Sequence, residues 1–397
     1  MGEIFAHPRL KNVEMERVPI DQSDRSRFLL QGGDLLFARQ SLVLAGAGKC
    51  SIFLGDNEPA TFESHIIRVR LNQAKANPLY YYYYFQSHEG RAAIQSIVEQ
   101  GAGASGIRAT DLAAIDVAWC PITVQDAIAH ILGTLDDKIE LNQRMNETLE
   151  EMARALFKSW FVDFDPVRAK MEGRDTGLPP DVDALFPDRL VESELGEIPE
   201  GWEIGCFGSI VSPIKNRVGE REAVVLSAIS SGELVKSGEY FTKQVYSKSI
   251  ANYLTVEQWD IAYNPSRINI GSVGMLKDPF LGAVSPVYVV IRPQPAYRWY
   301  LEFTLQLYQV KEWISTLASG SVRQALPCQD FMSIPCVIPP HLITQRFDKE
   351  WEHLHRISMV RANESRILSS MRDTLLPRLI SGEVRVKNAD TSLRRMP

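Results

Sequence analysis

Two long segments of the chain carry apolar side chains at heptad spacing, and each predicts a helix of about 36 residues, or about 54 Å. One segment follows Pro121 and the other follows Pro340. The predicted seam positions are Ile128, Leu135, Leu149 and Leu156 in the first segment, and Phe347, Leu354, Leu368 and Leu375 in the second. A narrow apolar seam of this length requires a partner helix. We therefore expect the two helices to pair with each other, in antiparallel orientation.

The two segments belong to an internal repeat. Leu149 and Leu368 are separated by 219 positions, and so are the polar residues that interrupt the two seams, Asn142 and Arg361. The same offset relates further pairs upstream: Asp111 with Asp330, Ile115 with Ile334, and Pro121 with Pro340. Chance agreement of phase, interruptions and landmarks is improbable, so the pattern indicates a duplicated unit, in which a globular α/β part precedes a long helix.

The repeat extends upstream, where the loops differ in length. "GDLLFAR" (33–39) resembles "WDIAYNPSR" (259–267), which relates Asp34 to Asp260. The predicted domains are a first globular unit (1–122), a central long helix (123–170), a linker (171–198), a second globular unit (199–340), a C-terminal long helix (341–385) and a tail (386–397). The first unit is short at its N-terminal side, because nothing like "PEGWE" precedes Asp34.

The composition favours a cytoplasmic protein with packed cores. Apolar residues make up 45% of the chain, no apolar run is long enough to span a bilayer, and the start resembles no secretory signal. The five cysteines form no CxxC pair, which fits reduced thiols better than disulfides or a zinc site. The net charge is −6, but residues 126–203 alone hold 19 acidic and 8 basic residues, so the rest of the chain is mildly basic. A nucleic-acid partner is therefore not excluded.

Two aromatic clusters are predicted to lie in cores. Phe157, Trp160, Phe161 and Phe164 sit at the end of the first long helix and should anchor it to a globular unit. The tyrosine run 80–84 aligns with "WYLEF" (299–303), so we expect core packing there rather than stacking on bases.

No catalytic or metal-binding motif is found. "YNPSR" (263–267) shares only part of the Asn-Pro-Pro-Tyr loop of amino-methyltransferases, and no glycine-rich strand–turn–helix for a methyl donor precedes it. His353 and His355 are two positions apart, so they do not share a helix face and do not predict a metal site. We expect a non-enzymatic protein without a cofactor of its own.

Three stretches resemble one family. "LEEMARALFKSWFVDFDPVRAKMEG" (149–173), "ELGEIPEGWE" (194–203) and "LLPRLISGEV" (375–384) are similar to the specificity subunit of type I restriction–modification systems. The resemblance implies an α+β fold with two target-recognition domains of mixed α/β structure, each followed by a long helix, the two helices forming an antiparallel coiled coil. It implies double-stranded DNA with a bipartite site, two methyltransferase subunits and, indirectly, restriction subunits as partners. S-adenosylmethionine would bind the methyltransferase partner.

Equivalent loops of the two copies carry the side chains that DNA recognition uses. Arg, Asn, Gln and Ser can read base edges or hold phosphates. The predicted DNA-binding residues are Arg39, Gln40, Ser41, Ser105 and Arg108 in the first copy, and Asn264, Ser266, Arg267, Asn269, Ser319, Ser321, Arg323 and Gln324 in the second.

Two other functions stay open at the level of sequence. A coiled-coil scaffold could use the globular ends to bind proteins, and it would show no preference for any DNA sequence. A solitary DNA-modification enzyme built around "YNPSR" would bind S-adenosylmethionine by itself.

Overall fold

The computed structural model describes residues 2–101, 103–318 and 325–386. The chain divides into two compact units, which we call unit 1 (residues 1–145 and 360–397) and unit 2 (residues 146–359). Both long helices contribute to both units, so the boundaries of the units differ from the predicted domains. Residues 387–397 of the predicted tail lie outside the described part.

Each unit combines short strands with short helices. In unit 1 the helices are Gly2–Ala6, Arg25–Phe28, Leu44–Gly46 (3-10), Pro78–Gln86, His88–Gln95 and Ala109–Ala113, and the strands are Arg9–Lys11, Asp34–Ala38, Gln40–Ser41, Cys50–Gly55, Ile66–Val69, Glu99–Gln100 and Ser105–Gly106. In unit 2 the helices are Asp165–Met171, Pro180–Asp183, Phe207–Ser209 (3-10), Ser237–Tyr240, Ile268–Ile270 (3-10), Pro295–Tyr297 (3-10), Arg298–Thr304, Tyr308–Leu317 and Cys328–Met332. Its strands are Leu190–Ser193, Gly196–Pro199, Glu203–Cys206, Val211–Ile214, Val224–Ala228, Leu234–Lys236, Leu254–Val256, Ile261–Tyr263, Val273–Met275, Gly282–Val284, Val289–Pro293 and Pro335–Ile338.

The long helices are Ile122–Phe161 and His341–Ile380. The first residues of the two helices are 219 positions apart, and so are their last residues, which is the offset of the sequence repeat. The first helix ends before the predicted residue 170, because Phe164 takes a left-handed conformation (φ 56°) and Pro166 starts the separate helix Asp165–Met171. The second ends at Ile380 rather than 385.

The predicted linker 171–198 is more ordered than expected. It contains the helical turn Pro180–Asp183, and the strand Leu190–Ser193 forms a hairpin with Gly196–Pro199. The turn of this hairpin uses Gly196 at φ 96°, a conformation that side chains other than glycine rarely adopt. The segment is therefore a folded part of unit 2.

A four-stranded sheet forms the centre of unit 1. Its strand Asp34–Ala38 is buried at every position and lies between Cys50–Gly55 and Ile66–Val69, both antiparallel to it. Tyr80, Tyr81, Tyr82, Tyr83 and Tyr84 all lie in the hydrophobic core beside this sheet. The prediction that the tyrosine run packs in a core is confirmed.

Unit 2 contains an equivalent sheet. Ile261–Tyr263 lies between Val273–Met275 and Val289–Pro293, again with antiparallel neighbours. Unit 2 adds a second four-stranded sheet in the order Leu234–Lys236, Val224–Ala228, Gly282–Val284, Leu254–Val256. The shared sheet reflects the repeat, and the added sheet makes unit 2 larger.

Aromatic side chains bind the first long helix into unit 2. The ring of Phe157 stacks on Phe303 with centroids 5.3 Å apart, and the ring of Phe161 packs edge-on against Tyr300 at 5.2 Å. Phe164 packs edge-on against Trp202 at 5.6 Å. These contacts confirm the anchoring role predicted for the aromatic cluster.

Within unit 1, the long helices run antiparallel. Arg372 donates to Asp136 at 2.7 Å, and Asn142 donates to Glu364 at 2.8 Å, so higher numbers on one helix meet lower numbers on the other. Asp136 also accepts a hydrogen bond from the Tyr83 hydroxyl at 2.6 Å. One buried carboxylate thus joins both helices to the tyrosine helix Pro78–Gln86.

The contacts within unit 2 have the same antiparallel sense. The Asn146 side chain donates to the backbone oxygen of Ser358 at 3.2 Å, and Phe157 packs against Phe347 at 5.7 Å. The pairing therefore uses polar contacts beside aromatic ones.

The predicted seam positions differ in burial. Ile128 and Phe347 are buried, whereas the remaining six are half-buried: Leu135, Leu149, Leu156, Leu354, Leu368 and Leu375. The adjacent heptad row of the first helix is buried more deeply, at Leu132, Ile139, Ala153 and Trp160. A helix that packs on two neighbours buries a wider stripe than a single row.

We predict that Leu132→Ala lowers the free energy of unfolding by about 2–5 kcal/mol, because it leaves a cavity at a fully buried position. Leu141→Ala on the same helix is the matched control, since Leu141 is 43% exposed. Denaturant unfolding followed by circular dichroism measures both. Equal effects of the two substitutions would contradict the packing of this helix.

Candidate nucleic-acid interface

The two predicted DNA-binding loops of unit 1 lie side by side. Strand Gln40–Ser41 pairs with Ser105–Gly106, and the Ile107 N–H donates to the Arg39 carbonyl at 2.9 Å. Arg39, Gln40 and Arg108 are exposed, while Ser41 and Ser105 are half-buried. The fold therefore gathers the predicted residues of this copy on one small sheet.

Unit 2 holds its loops together by the equivalent contact. The Leu326 N–H donates to the Pro265 carbonyl at 3.0 Å. Leu326 follows Ile107 by 219 positions, and Pro265 occupies the place of Arg39 when Asp34 is aligned with Asp260. The predicted residues Ser319, Ser321, Arg323 and Gln324 lie outside the described residues.

A buried aspartate precedes the first loop of unit 1. Asp34 is 1% exposed, and the Arg70 guanidinium holds its carboxylate with two hydrogen bonds, Nε to Oδ1 at 2.7 Å and Nη2 to Oδ2 at 2.6 Å. The Gln31 N–H donates to Oδ2 at 2.8 Å. The hydrogen bond to Asp34 raises the pKa of Arg70, so the guanidinium stays charged.

Unit 2 repeats this arrangement atom for atom. Arg292 Nε donates to Asp260 Oδ1 at 2.6 Å, Arg292 Nη2 donates to Oδ2 at 2.9 Å, and the Glu257 N–H donates to Oδ2 at 2.8 Å. The hydrogen bond to Asp260 raises the pKa of Arg292. The residue before each aspartate has positive φ, Gly33 at 95° and Trp259 at 74°. The Asp–Arg pair occurs in both copies, and in each copy it holds the strand that leads into the candidate loop.

The first loop of unit 2 is shaped by its own polar groups. Asn264 Oδ1 accepts from the Ser266 N–H at 3.1 Å, and the Asn264 carbonyl accepts from the Arg267 N–H at 2.9 Å. Asn264 is half-buried, while Ser266, Arg267 and Asn269 are exposed. Asn264 therefore builds the turn, and the other three side chains face solvent.

The loop closes on Gly271, which has φ 91°. A Cβ atom at this position would lie 2.4 Å from the Ser230 carbonyl oxygen, so only glycine fits.

The arginines differ in their partners. Arg108 donates to Glu99 at 2.7 Å, and both side chains are exposed, so this ion pair contributes little to stability and can exchange for a phosphate. Arg39 makes one long contact with the Ser64 carbonyl at 3.4 Å. Arg267 forms no side-chain hydrogen bond or ion pair with the residues that the structure describes. Arg39 and Arg267 are thus the more available cations.

A basic loop of unit 2 was missed by the sequence analysis. Lys243 and Lys248 are exposed, and neither forms an ion pair within the described ranges. The Tyr253 hydroxyl accepts from the Ser247 N–H at 3.1 Å and orders the loop, while Arg217 donates to the Asn252 carbonyl at 3.0 Å. The signal was present in "YFTKQVYSKS" (240–249), which contains two lysines among aromatic, hydroxyl and amide side chains, but the sequence repeat offered no counterpart in the first copy.

Two other kinds of feature are absent from the described part of the chain. Over the described ranges, no helix is both long and apolar enough to cross a membrane. In the same residues, no group of three or more His, Cys, Asp or Glu side chains could hold a metal ion.

Comparison with known proteins identifies related chains. Residues 8–151 match the model of the type I restriction modification DNA specificity domain. The HindI specificity subunit of a type I restriction enzyme from Haemophilus influenzae is 24% identical over 437 residues, which cover 96% of this chain and 91% of the relative. The MjaIX specificity subunit from Methanocaldococcus jannaschii is also 24% identical, over 324 residues that cover 78% of this chain and 69% of the relative.

A solved structure shares the fold. The crystal structure of the type I restriction–modification S subunit from M. genitalium aligns with a TM-score of 0.53 and 13% identity, covering 94% of this chain and 88% of that one. At this identity the likeness concerns the fold alone.

The matched part of the chain, residues 8–151, is a DNA specificity domain of the type I restriction–modification kind. Over most of its length the chain is similar to the specificity subunits of type I systems. The resemblance drawn from its motifs and the expectation of a non-enzymatic subunit are both confirmed by these relationships.

We predict that Asp34→Ala destabilises unit 1 by about 3 kcal/mol, because it leaves the Arg70 guanidinium and the Gln31 N–H without their partner. Arg17→Ala is the control, since it breaks an ion pair with Glu58 in which both side chains are exposed, worth about 0–1 kcal/mol. Thermal melting measures both variants. A similar melting temperature for Asp34→Ala and the parent would refute the structural role of the buried pair.

Proposed function

We propose that this chain reads a bipartite DNA sequence, with one half-site bound by each unit. The observation that carries the proposal is the duplicated framework, in which Ile107 bonds to Arg39 in unit 1 and Leu326 bonds to Pro265 in unit 2. Two copies of one surface in one chain suit two separate half-sites. The exposed residues of the loops then decide which bases each unit prefers.

The chemistry of the exposed side chains supports base reading. An arginine can donate two hydrogen bonds to guanine, and Gln or Asn can pair in the same way with adenine. Unit 1 offers Arg39 and Gln40, whereas unit 2 offers Arg267 and Asn269. Because these residues follow strands held by buried Asp–Arg pairs, their backbone is ordered before DNA arrives, which lowers the entropic cost of binding.

We further propose that the long helices pair as an antiparallel coiled coil and dock two methyltransferase subunits, and through them the restriction subunits. Large apolar side chains are exposed along both helices: Leu141, Met152, Val360, Ile367 and Met371. Exposed apolar side chains on paired helices indicate a protein-binding surface. S-adenosylmethionine would then be bound by the methyltransferase partner, in the cytoplasm, and this chain would need no cofactor.

We predict that Arg267→Ala changes only one half of the methylated site and that Arg39→Ala changes only the other. Loss of a base contact should cost about 1–3 kcal/mol and relax the preference at one position, whereas loss of a phosphate contact should weaken all sequences and flatten the salt dependence. The measurement is methylation of a randomised duplex library by the reconstituted complex, followed by sequencing of the products.

Arg174→Ala provides the matched control for this experiment. Arg174 is exposed and paired with Glu172, far along the chain from both loops, so its loss should leave the site preference unchanged. If Arg39→Ala and Arg267→Ala both kept the parental site and affinity, the assignment of the reading loops would be wrong. If the parent complex methylated without sequence preference, the proposed function itself would fail.

We predict that Ile367→Glu weakens assembly with the methyltransferase subunits at least tenfold without lowering the melting temperature, because Ile367 is 54% exposed and a carboxylate there meets an apolar partner surface. Arg366→Glu places a carboxylate about 100° away round the helix, with a change of two charges instead of one, and serves as the stricter control. Analytical ultracentrifugation of the mixed subunits gives the affinities. Parental assembly by Ile367→Glu would exclude this helix face from docking.

A further inference from the structure

Three successive apolar side chains are exposed at the tip of a hairpin in unit 1. The hairpin joins strands Asp34–Ala38 and Cys50–Gly55, which pair antiparallel. Leu42 is 89% exposed, Val43 is 65% exposed and Leu44 is 51% exposed. We call these three residues the apolar tip. A contiguous run of exposed apolar side chains marks a binding surface, because leaving them in water gains nothing for the fold.

Hydrogen bonds hold the apolar tip in one shape. The Val43 N–H donates to Ser41 Oγ at 3.2 Å, and the Gly46 N–H donates to the Val43 carbonyl at 3.0 Å. Behind the turn, the Gly48 N–H donates to the Ala38 carbonyl at 2.8 Å and closes the hairpin. An ordered turn presents its side chains without a large entropic cost of binding.

The surroundings of the apolar tip indicate what it contacts. The tip directly follows Arg39 and Gln40, which are exposed and belong to the residue types that read base edges. The stretch from Arg39 to Lys49 contains no acidic residue, so its charge suits a phosphate backbone. It also lies within residues 8–151, the part that matches a DNA specificity domain. These observations favour DNA over a protein partner.

The second copy has a similar feature. Its hairpin joins strands Ile261–Tyr263 and Val273–Met275, which also pair antiparallel. Ile270 follows the exposed Asn269 and is 59% exposed itself, whereas Ile268 is buried. Each copy thus places an exposed apolar side chain beside polar residues of the types that read bases.

We propose that the apolar tip packs against the C5-methyl group of a thymine in the major groove of the half-site bound by unit 1. This inference rests on the proposed function and adds a specificity determinant to it. The thymine methyl group lies in the major groove, where apolar side chains can contact it. An adenine bound there by Gln40 would be paired with a thymine, so the polar reader and the apolar tip can act on the same or neighbouring base pairs.

Insertion between base pairs is another way in which apolar side chains act on DNA, but it takes place from the minor groove. Bidentate bonds from arginine to guanine and from glutamine to adenine are made in the major groove. Because the apolar tip directly follows Arg39 and Gln40, it enters the same groove as these two side chains.

The test compares thymine with deoxyuridine, which lacks only the methyl group. The reconstituted complex is titrated into a fluorescein-labelled duplex that carries its methylation site, and each thymine of the site is replaced in turn. We expect at least one replacement to weaken binding about fourfold, since burial of one methyl group corresponds to this factor. In the variant that combines Leu42→Ser, Val43→Ser and Leu44→Ser, at least one such penalty should fall below about 1.5-fold, because the apolar contact is gone.

Val18→Ser is the matched control, because Val18 is an apolar residue of unit 1 that is 56% exposed and lies outside the hairpin. It should keep every penalty of the parent. The combined variant alters no buried side chain, so its melting temperature and its assembly with the methyltransferase subunits should match those of the parent.

The inference is overturned if no thymine replacement weakens binding by the parent. It is also overturned if every penalty persists in the combined variant, since the methyl group would then act through the shape of the DNA. Loss of assembly by that variant would overturn it too, because the tip would then contact a protein. A parent complex that bound its site no better than a scrambled duplex would refute the proposed function, and this inference with it.

Discussion

A buried carboxylate with three donors organises each unit. Asp34 and Asp260 each accept two hydrogen bonds from an arginine and one from the backbone of the preceding turn. A buried charge is costly unless its hydrogen bonds are complete, and here two strands and a turn must be correctly placed to complete them. The candidate DNA loop leaves the same strand a few residues later. The position of the candidate loop therefore depends on a buried ion pair outside the loop.

The long helices obtain their alignment from polar residues at some cost in stability. Asp136, Asn142 and Asn146 lie between the helices within their units, where apolar side chains would pack more favourably. Asn142 Oδ1 and Asn146 Oδ1 are buried without a hydrogen-bond partner among the described residues. In any other register of the two helices, these asparagine side chains would also lose the hydrogen bonds that they make to Glu364 and Ser358. The native register is therefore the least costly one. Under the proposed function, a fixed alignment of the helices would keep the surfaces that dock the partner subunits in place.

The two copies have kept their framework and changed their periphery. The central sheet, the Asp–Arg pair and the bond between the two loops occur in both units. Among the described residues, the second four-stranded sheet and the basic loop with Lys243 and Lys248 are found only in unit 2. In the proposed function, a common scaffold with different loops lets one architecture read two different half-sites.

The sequence by itself determined the features that depend on local periodicity. The 219-residue offset, the two heptad segments and the aromatic cluster at the end of the first long helix could all be predicted from the sequence, because a helix repeats its environment every few residues. The ends of the helices were harder to predict. After the first long helix, Phe164 takes a left-handed backbone conformation that prevents the helix from continuing, and no spacing of apolar residues reveals this.

Only the tertiary structure decided which distant segments meet. Arg39 is joined to Ile107, and Asp34 is joined to Arg70. Pairing of this kind is set by how sheets and helices pack around a shared core. It has no periodic signature along the chain, and so it could be anticipated only where the repeat supplied two copies to compare.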